Sequence, residues 1–423
     1  MRIHLGKRVL IVSSWAPPMV GGPQNLYNLF SQFSPDSYCI LTRYEIIRRG
    51  NPIGTWLSGE YFFCDHNLQA QKSSVSTSHP SGTVALVNAC RRVRRRISSL
   101  GSGVIILGFA LDTLVTIAQM VRMGTRIARQ KNIRCILGVS DTGPALIATY
   151  LISRFTGLPY SLYLFDIYLG NKLERPTEEL LAKLFEPRLF KTAALVIVTN
   201  EGTEQFYRKR YGYKFKCCVI HNSVFPEAYK TKRTTYAPTK PYTIVFTGNV
   251  YWPQERSLRN LIGAVSQLQD LPVHLDLYVP NTNEAFKRIV GTCQNVQLTS
   301  ASQSEMPDVQ CRATILFLPL SWHTTPEVIA TATPGKLADY LASGRPMLIH
   351  APPYAYVNEY ARQEGFALVV DQEDVEELGE GVRKLIFDVQ YSRGLIENAK
   401  RTLYKNHDAT ANAQKLANIL ESL

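Results

Sequence analysis

Metal-ligand and disulfide patterns are missing from this sequence. Its eight cysteines (39, 64, 90, 135, 217, 218, 293 and 311) contain no Cys-x-x-Cys pair, and its eight histidines form no His-x-x-x-His or mixed cluster. Structural zinc and a disulfide framework are therefore not indicated, and the cysteine usage reads as that of a reduced compartment. Long apolar runs are scarce too. Val9–Val12 is too short for a signal peptide and reads as a first buried strand, and Val104–Val121 is interrupted by Asp112 and Gln119, which argues against a spanning helix. Acidic residues are in deficit, with 34 Asp and Glu against 47 Lys and Arg. The deficit is uneven: residues 1–215 carry 27 basic and 13 acidic side chains (+14), leaving 20 and 21 (−1) for residues 216–423. A field confined to one half favours an anionic surface for that half, whether lipid head groups, a lipid diphosphate or nucleic acid.

What is present is a globular composition, 45% hydrophobic over 423 residues, enough for two or three domains. Apolar runs at Val9–Ser13, Ile105–Leu107, Ile136–Val139, Ser161–Phe165 and Leu195–Thr199 predict strands in the first half. Helical patterns at Ala145–Phe155 and Glu178–Lys191 separate some of them. The second half repeats the pattern with strands at Thr243–Phe246, Val273–Tyr278, Val296–Leu298, Thr314–Leu318, Met347–His350 and Ala367–Val370. Helices at Ser257–Gln267, Lys336–Ala342 and Val375–Phe387 lie between them. This alternation predicts an α/β class with parallel, doubly wound sheets. Pro226–Pro241, rich in Pro, Lys, Thr and Tyr without apolar periodicity, reads as the interdomain connection. The expected domains are 1–225 and 242–408, and Ala409–Leu423 forms a terminal helix.

One segment carries more chemistry than the rest. Pro334-Gly335-Lys336-Leu337-Ala338-Asp339-Tyr340-Leu341-Ala342-Ser343-Gly344-Arg345-Pro346 places proline and glycine at a helix start, where free backbone amides can hold an anion such as a diphosphate. Leu337, Tyr340 and Leu341 fall at i, i+3 and i+4 as a buried stripe, with Lys336 and Asp339 turned elsewhere. Gly344 ends the helix and Pro346 prevents its return. A degenerate Walker A reading of Ala330–Lys336 fails because Leu337 stands where a Mg²⁺-binding hydroxyl is required. A nucleophile elbow at Gly138–Thr142 fails because Thr142 replaces its second glycine.

The segment resembles the donor-site signature of retaining GT-B glycosyltransferases of family-four type, the group that includes bacterial cell-envelope polysaccharide enzymes, where the pattern is Pro-x-Lys-x-x-Glu/Asp-Tyr-x-x-x-Gly-x-Pro. The resemblance implies two Rossmann-like domains facing a cleft, an acceptor-side N-terminal domain, and a C-terminal domain that binds the donor nucleotide. The last helix is expected to cross back to the N-terminal domain. It assigns Asp339 to the nucleotide ribose. It assigns Gly21 and Gly22, in the Pro-x-x-Gly-Gly loop after the first strand, to the donor phosphate and transferred sugar, together with Pro334, Gly335, Lys336, Gly248 and Asn249.

The sequence departs from the family pattern at four places. Asn249 and Gln254 occupy the positions of an arginine and a lysine that neutralise the leaving diphosphate, which leaves Lys336 and Arg256 as the nearest basic substitutes. Thr331 replaces the first acid of the family's E-x7-E pair, with Glu327 twelve residues before Asp339. Phe165 replaces a histidine before Asp166. That aspartate reads either as a catalytic or sugar-positioning carboxylate or as a helix N-cap. Asp141 and Thr142 are weaker candidates of the same kind, while the resemblance places Asn200-Glu201-Gly202 and His221-Asn222-Ser223 in cleft-lining loops, with His221 by itself reading as a structural histidine. Arg91, Arg92, Arg94, Arg95 and Arg96, interleaved with an apolar stripe at Leu86, Cys90, Val93, Ile97 and Leu100, predict docking to an anionic membrane surface, with a solvated face or an RNA contact as the competing reading.

The expectation is a cytoplasmic enzyme, peripheral on the inner face of the membrane. It moves a sugar from a nucleotide diphosphate donor to a lipid-linked or polysaccharide acceptor, with no metal or other cofactor and no nucleic acid partner. A nucleotide-sugar epimerase or hydrolase of the same fold, and a catalytically silent carbohydrate- or membrane-binding partner, remain as alternatives.

Overall fold

A computed structural model describes residues 2–49, 54–65, 69–70, 102–140, 143–171, 176–212, 214–250, 252–279 and 284–423. The arginine-rich stretch 91–96, with Asp141 and Thr142, lies outside the described residues.

The chain divides into two compact units, Met1–His221 with Thr410–Leu423, and Asn222–Ala409. Strands of the first unit are β1 (Arg8–Val12), β2 (Tyr38–Thr42), β3 (Glu60–Phe63), β4 (Gln69–Ala70), β5 (Ile133–Val139), β6 (Tyr160–Leu164), β7 (Leu195–Val198) and β8 (Cys217–Val219). They form one sheet in the order β4-β3-β2-β1-β5-β6-β7-β8. Its pairs are parallel except β3 with β4. The second unit holds β9 (Tyr242–Thr247), β10 (Val273–Tyr278), β11 (Val296–Thr299), β12 (Ile315–Pro319), β13 (Met347–His350) and β14 (Ala367–Val370). They make an all-parallel sheet in the order β11-β10-β9-β12-β13-β14. Strands such as Ile-Leu-Phe-Leu-Pro of β12 are buried at every position, as a parallel sheet covered on both faces requires.

In both sheets the strand order reverses beside the first strand of the unit, between β1 and β5 and between β9 and β12. Such a reversal opens a crevice at the carboxyl ends of the two strands, where open α/β sheets bind ligands.

The structure differs from the sequence reading in three respects. Ile105–Leu107 is not a strand; it lies inside the 29-residue helix Ser102–Gln130, because a three-residue apolar run carries no period by which strand and helix could be told apart. Strands β2, β3 and β8 were not expected, being short and set among irregular sequence. The unit boundary falls at His221/Asn222, so Pro226–Pro241 belongs to the second unit and is no free connection: Tyr229 and Tyr236 are buried there. The terminal helix Ala409–Glu421 packs Ala413, Leu416, Ala417 and Leu420 into the core of the first unit.

Candidate functional site

The site in the second unit is built from the end of β9 and the helix Lys336–Ser343. That helix forms for the reasons its sequence shows. Leu337, Tyr340 and Leu341 are buried against the core, each stabilising the packing by about 1.5–3 kcal/mol, and Gly344 closes the helix in the left-handed region with φ 73°. Gly335 caps the start without a side chain of its own, and Pro334 O accepts the Leu337 N–H at 3.0 Å. The Leu337 amide is thereby engaged, and no side chain caps the helix start where an anion would approach.

Lys336 and Asp339, one turn apart on the helix, keep partial access to water. The Lys336 ammonium stands 4.0 Å from the centroid of the Phe246 ring. It also lies 2.9 Å from where a Cβ on residue 248 would be. Gly248 follows β9 directly, donates its N–H to Tyr278 O at 3.0 Å, and has φ 125°, a conformation L side chains rarely adopt. Glycine is therefore required here on both counts: a side chain would be strained and would displace the lysine. Desolvation pushes the Lys336 pKa down to about 7, opposed by the charge of Asp339. Desolvation pushes the Asp339 carboxyl up to about 6, opposed by the Tyr229 hydroxyl and by Lys336. Asn249 is exposed beside this pair.

The remaining expected residues take other places. Arg256 is half-exposed and forms an ion pair with Glu373, so Lys336 is the cation that stands at Gly248. Gln254 and Thr331 are buried. The Thr331 hydroxyl bonds back to Glu327 O at 2.8 Å and to Val328 O at 3.2 Å at the end of the one-turn helix. Glu327 is exposed on the one-turn helix Pro326–Ile329.

In the first unit, the loop after β1 ends in Gly21, exposed, and Gly22, which starts the helix Gly22–Phe30. A Cβ on Gly22 would lie 3.0 Å from Phe165 Cδ2, so the phenylalanine that replaces the family's histidine packs its ring against this loop. Asp166 follows it and is exposed. Desolvation raises its carboxyl pKa, but open access to water opposes that effect. No helix begins there among the described residues, which removes the N-cap alternative. Asn200 does cap a helix, accepting from Thr203 N at 2.8 Å, and His221 is buried with Nε2 at 3.1 Å from Glu201.

Sequence reasoning missed Tyr229, Gln310, Thr247 and Phe246, which surround Asp339 and Lys336 from three other elements. Nothing in their local sequence marks them.

Comparison with known proteins converges on the same unit. Residues 241–388 match the family model described as Glycosyl transferases group 1. This stretch resembles a group 1 glycosyltransferase domain. It contains Gly248, Lys336 and Asp339. No curated protein matches the sequence. Solved structures do resemble the whole chain. A glycosyltransferase from Rickettsia africae has 10% identity and TM-score 0.65 over 99% of this chain and 98% of its own. Anabaena HepE in complex with UDP-glucose has 13% identity and TM-score 0.65 over 99% and 100%. Sucrose-phosphate synthase from Thermosynechococcus elongatus has 13% identity and TM-score 0.67 over 98% of each chain. At these identities the likeness is one of fold. The chain has the GT-B fold, and the match to the family model lies within its second unit.

Proposed function

We propose that the protein is a retaining glycosyltransferase. It moves a hexosyl group from a nucleoside diphosphate sugar to the hydroxyl of a lipid-linked or polysaccharide acceptor without a metal ion. The observation that carries this reading is the placement of Gly248, Lys336 and Asp339 at the strand reversal of a group 1 glycosyltransferase domain. The nucleotide diphosphate sugar bound in the HepE structure supports the donor class. Asp339 accepts hydrogen bonds from the ribose, while the first-turn amides and Lys336 hold the diphosphate. As the anomeric carbon–oxygen bond breaks, negative charge grows on the departing phosphate, where the lysine stabilises it. The acceptor hydroxyl attacks from the same face and its proton passes to the leaving phosphate oxygen, so the products are the glycosylated acceptor and the nucleoside diphosphate. Gly21, Gly22 and Asp166 of the first unit serve the transferred sugar and the acceptor.

Titration calorimetry with a panel of nucleoside diphosphates, followed by turnover of the matching sugar, tests the donor assignment. Saturable binding of a ribonucleoside diphosphate and release of nucleotide on adding acceptor are expected. Binding without turnover would point to the silent partner, and turnover of the sugar without an acceptor to the epimerase or hydrolase.

Docking of the first unit to an anionic membrane is the second part of the proposal. Among the described residues no helix is long and apolar enough to cross a membrane. The helix Ser102–Gln130 nevertheless exposes Leu111 and Leu114, about half of each side chain, with Arg122, Arg126 and Arg129 exposed further along. That combination suits an interface of acyl chains and acidic head groups. Co-sedimentation should show binding to anionic vesicles that fades with salt; equal binding to neutral vesicles would sink the docking idea.

A further inference from the structure

We infer that Tyr229 is a positioning residue for Asp339, holding one carboxylate oxygen so that the other faces the nucleotide ribose; this rests on the ribose reading above. Tyr229 belongs to the one-turn helix Glu227–Lys230 in the Pro226–Pro241 stretch and is 2% exposed. Its hydroxyl lies 3.1 Å from Asp339 Oδ1 and 2.8 Å from Gln310 Oε1. Gln310 Nε2 lies 3.2 Å from Thr247 Oγ1, and Tyr340 Oη lies 3.0 Å from Thr247 N and 3.2 Å from its hydroxyl. Every member between Asp339 and the end of β9 is buried. The chain of bonds therefore joins the carboxylate to the strand end from which Gly248 departs.

A core filled by phenylalanine and leucine at these positions would avoid the expense of burying four polar side chains. The hydroxyl and the amide thus call for a role beyond packing, and the hydrogen count identifies it. The Tyr229 hydroxyl has one hydrogen and two acceptors within reach. An ionised Asp339 can only accept, so Tyr229 donates to it. Gln310 then turns its amide by half a revolution, presenting N–H to Tyr229 and its carbonyl to the Thr247 hydroxyl. Tyr340 accepts the Thr247 N–H and donates to Thr247 Oγ1. Each hydroxyl hydrogen of the chain then has one acceptor. In the opposite amide orientation Tyr229 donates to Gln310, and Asp339 must be protonated and become a donor. There Gln310 Nε2 donates to Thr247 Oγ1, and the Thr247 and Tyr340 hydroxyls have one bond between them for two hydrogens, so the charged Asp339 with the turned amide is the arrangement that gives every hydroxyl hydrogen an acceptor.

The charged and titratable groups facing Asp339 are few. Lys336 lies on its own helix and Tyr229 on the helix Glu227–Lys230. Tyr340 lies on its own helix, and Cys311, beside Gln310 on the helix Met306–Arg312, acts on Tyr229. Lys336 and the Tyr229 hydroxyl both lower the Asp339 pKa, against the desolvation that raises it. Removing the hydroxyl leaves Lys336 alone to oppose desolvation, so Asp339 should ionise at higher pH.

The test uses the full chain and Tyr229→Phe, which keeps the ring. Calorimetric titration across pH 5 to 8 compares a ribonucleoside diphosphate with its 2′,3′-dideoxy counterpart. For the ribonucleotide, the variant should bind about three- to ten-fold more weakly. The acid limb of its binding profile should move to higher pH, and KM for the donor should rise with little change in kcat. The dideoxy nucleotide should bind both proteins alike. Gln310→Met, which removes the amide at similar volume, should reproduce the shift and serves if Tyr229→Phe does not fold. Unchanged ribonucleotide binding, or equal weakening for both nucleotides, would overturn the inference. Asp339→Ala separates the two levels. If it still prefers ribose as wild type does, the ribose reading fails and this inference with it. If it loses that preference while the tyrosine variant keeps an unshifted profile, only the positioning role is wrong.

Discussion

Replacing Lys336 with alanine is expected to lower kcat by about 10²–10³-fold, the usual loss when one preorganised donor to a developing negative charge is removed. Donor binding should weaken far less, because the charge on the leaving phosphate is larger in the transition state than in the bound substrate. The size of the effect follows from what the structure shows around Gly248. The two basic side chains of the family pattern are Asn249 and Gln254 here, and Arg256 is engaged by Glu373. That leaves Lys336 at Gly248, over the Phe246 ring. With its pKa pushed down to about 7, the lysine is charged below that value and loses its proton above it. The kcat/KM profile should accordingly fall as pH rises through about 7 in the free enzyme, and the alkaline limb should vanish in Lys336→Ala. Steady-state kinetics with a competent acceptor checks this. A variant with wild-type kcat would remove Lys336 from the mechanism.

Asp339→Ala should weaken ribonucleoside diphosphate binding by about 1.5–3 kcal/mol, the range for hydrogen bonds to a charged group, or roughly 10- to 150-fold. The carboxyl is held up to about 6 by desolvation, so its acceptor capacity is complete above that pH and falls away below it. Wild-type affinity should therefore decline as pH drops through about 6, and the alanine variant should lack this decline. Asp339→Asn keeps one acceptor without the charge and should bind with intermediate affinity. Calorimetry at pH 5 and pH 7.5 separates these cases. Unchanged affinity in the alanine variant at the higher pH would dismiss the ribose contact.

The two proposed groups thus define opposite limbs, one lost in acid and one in base. Their overlap gives a narrow window between about 6 and 7 in which both are charged. Bound diphosphate should widen it on the alkaline side, because an anion beside Lys336 favours its protonated form.

Much of this protein could be read from its residues in order. The strands β10, β13 and β14 and the helix Val375–Phe387 coincide with their apolar patterns. The helix Lys336–Ser343 showed its start, its buried stripe and its stop, because caps and periodicity act over a few neighbouring residues. Local signals did not reveal that Ile105–Leu107 is helical, since helix Ser102–Gln130 forms as a unit of 29 residues. They also misread Pro226–Pro241 as a free connection, because Tyr229 and Tyr236 find their burial against elements far away in the chain. The side chains around Lys336 and Asp339 were hidden for the same reason. Tyr229 meets Asp339 across 110 residues, and Gln310 meets Thr247 across 63. Sequence determined that the helix Lys336–Ser343 exists and which lysine and aspartate it presents. Only the tertiary structure decided which cation remains free at Gly248, what shifts both ionisations and which buried hydroxyl holds the carboxylate, because desolvation and hydrogen bonding depend on neighbours in space.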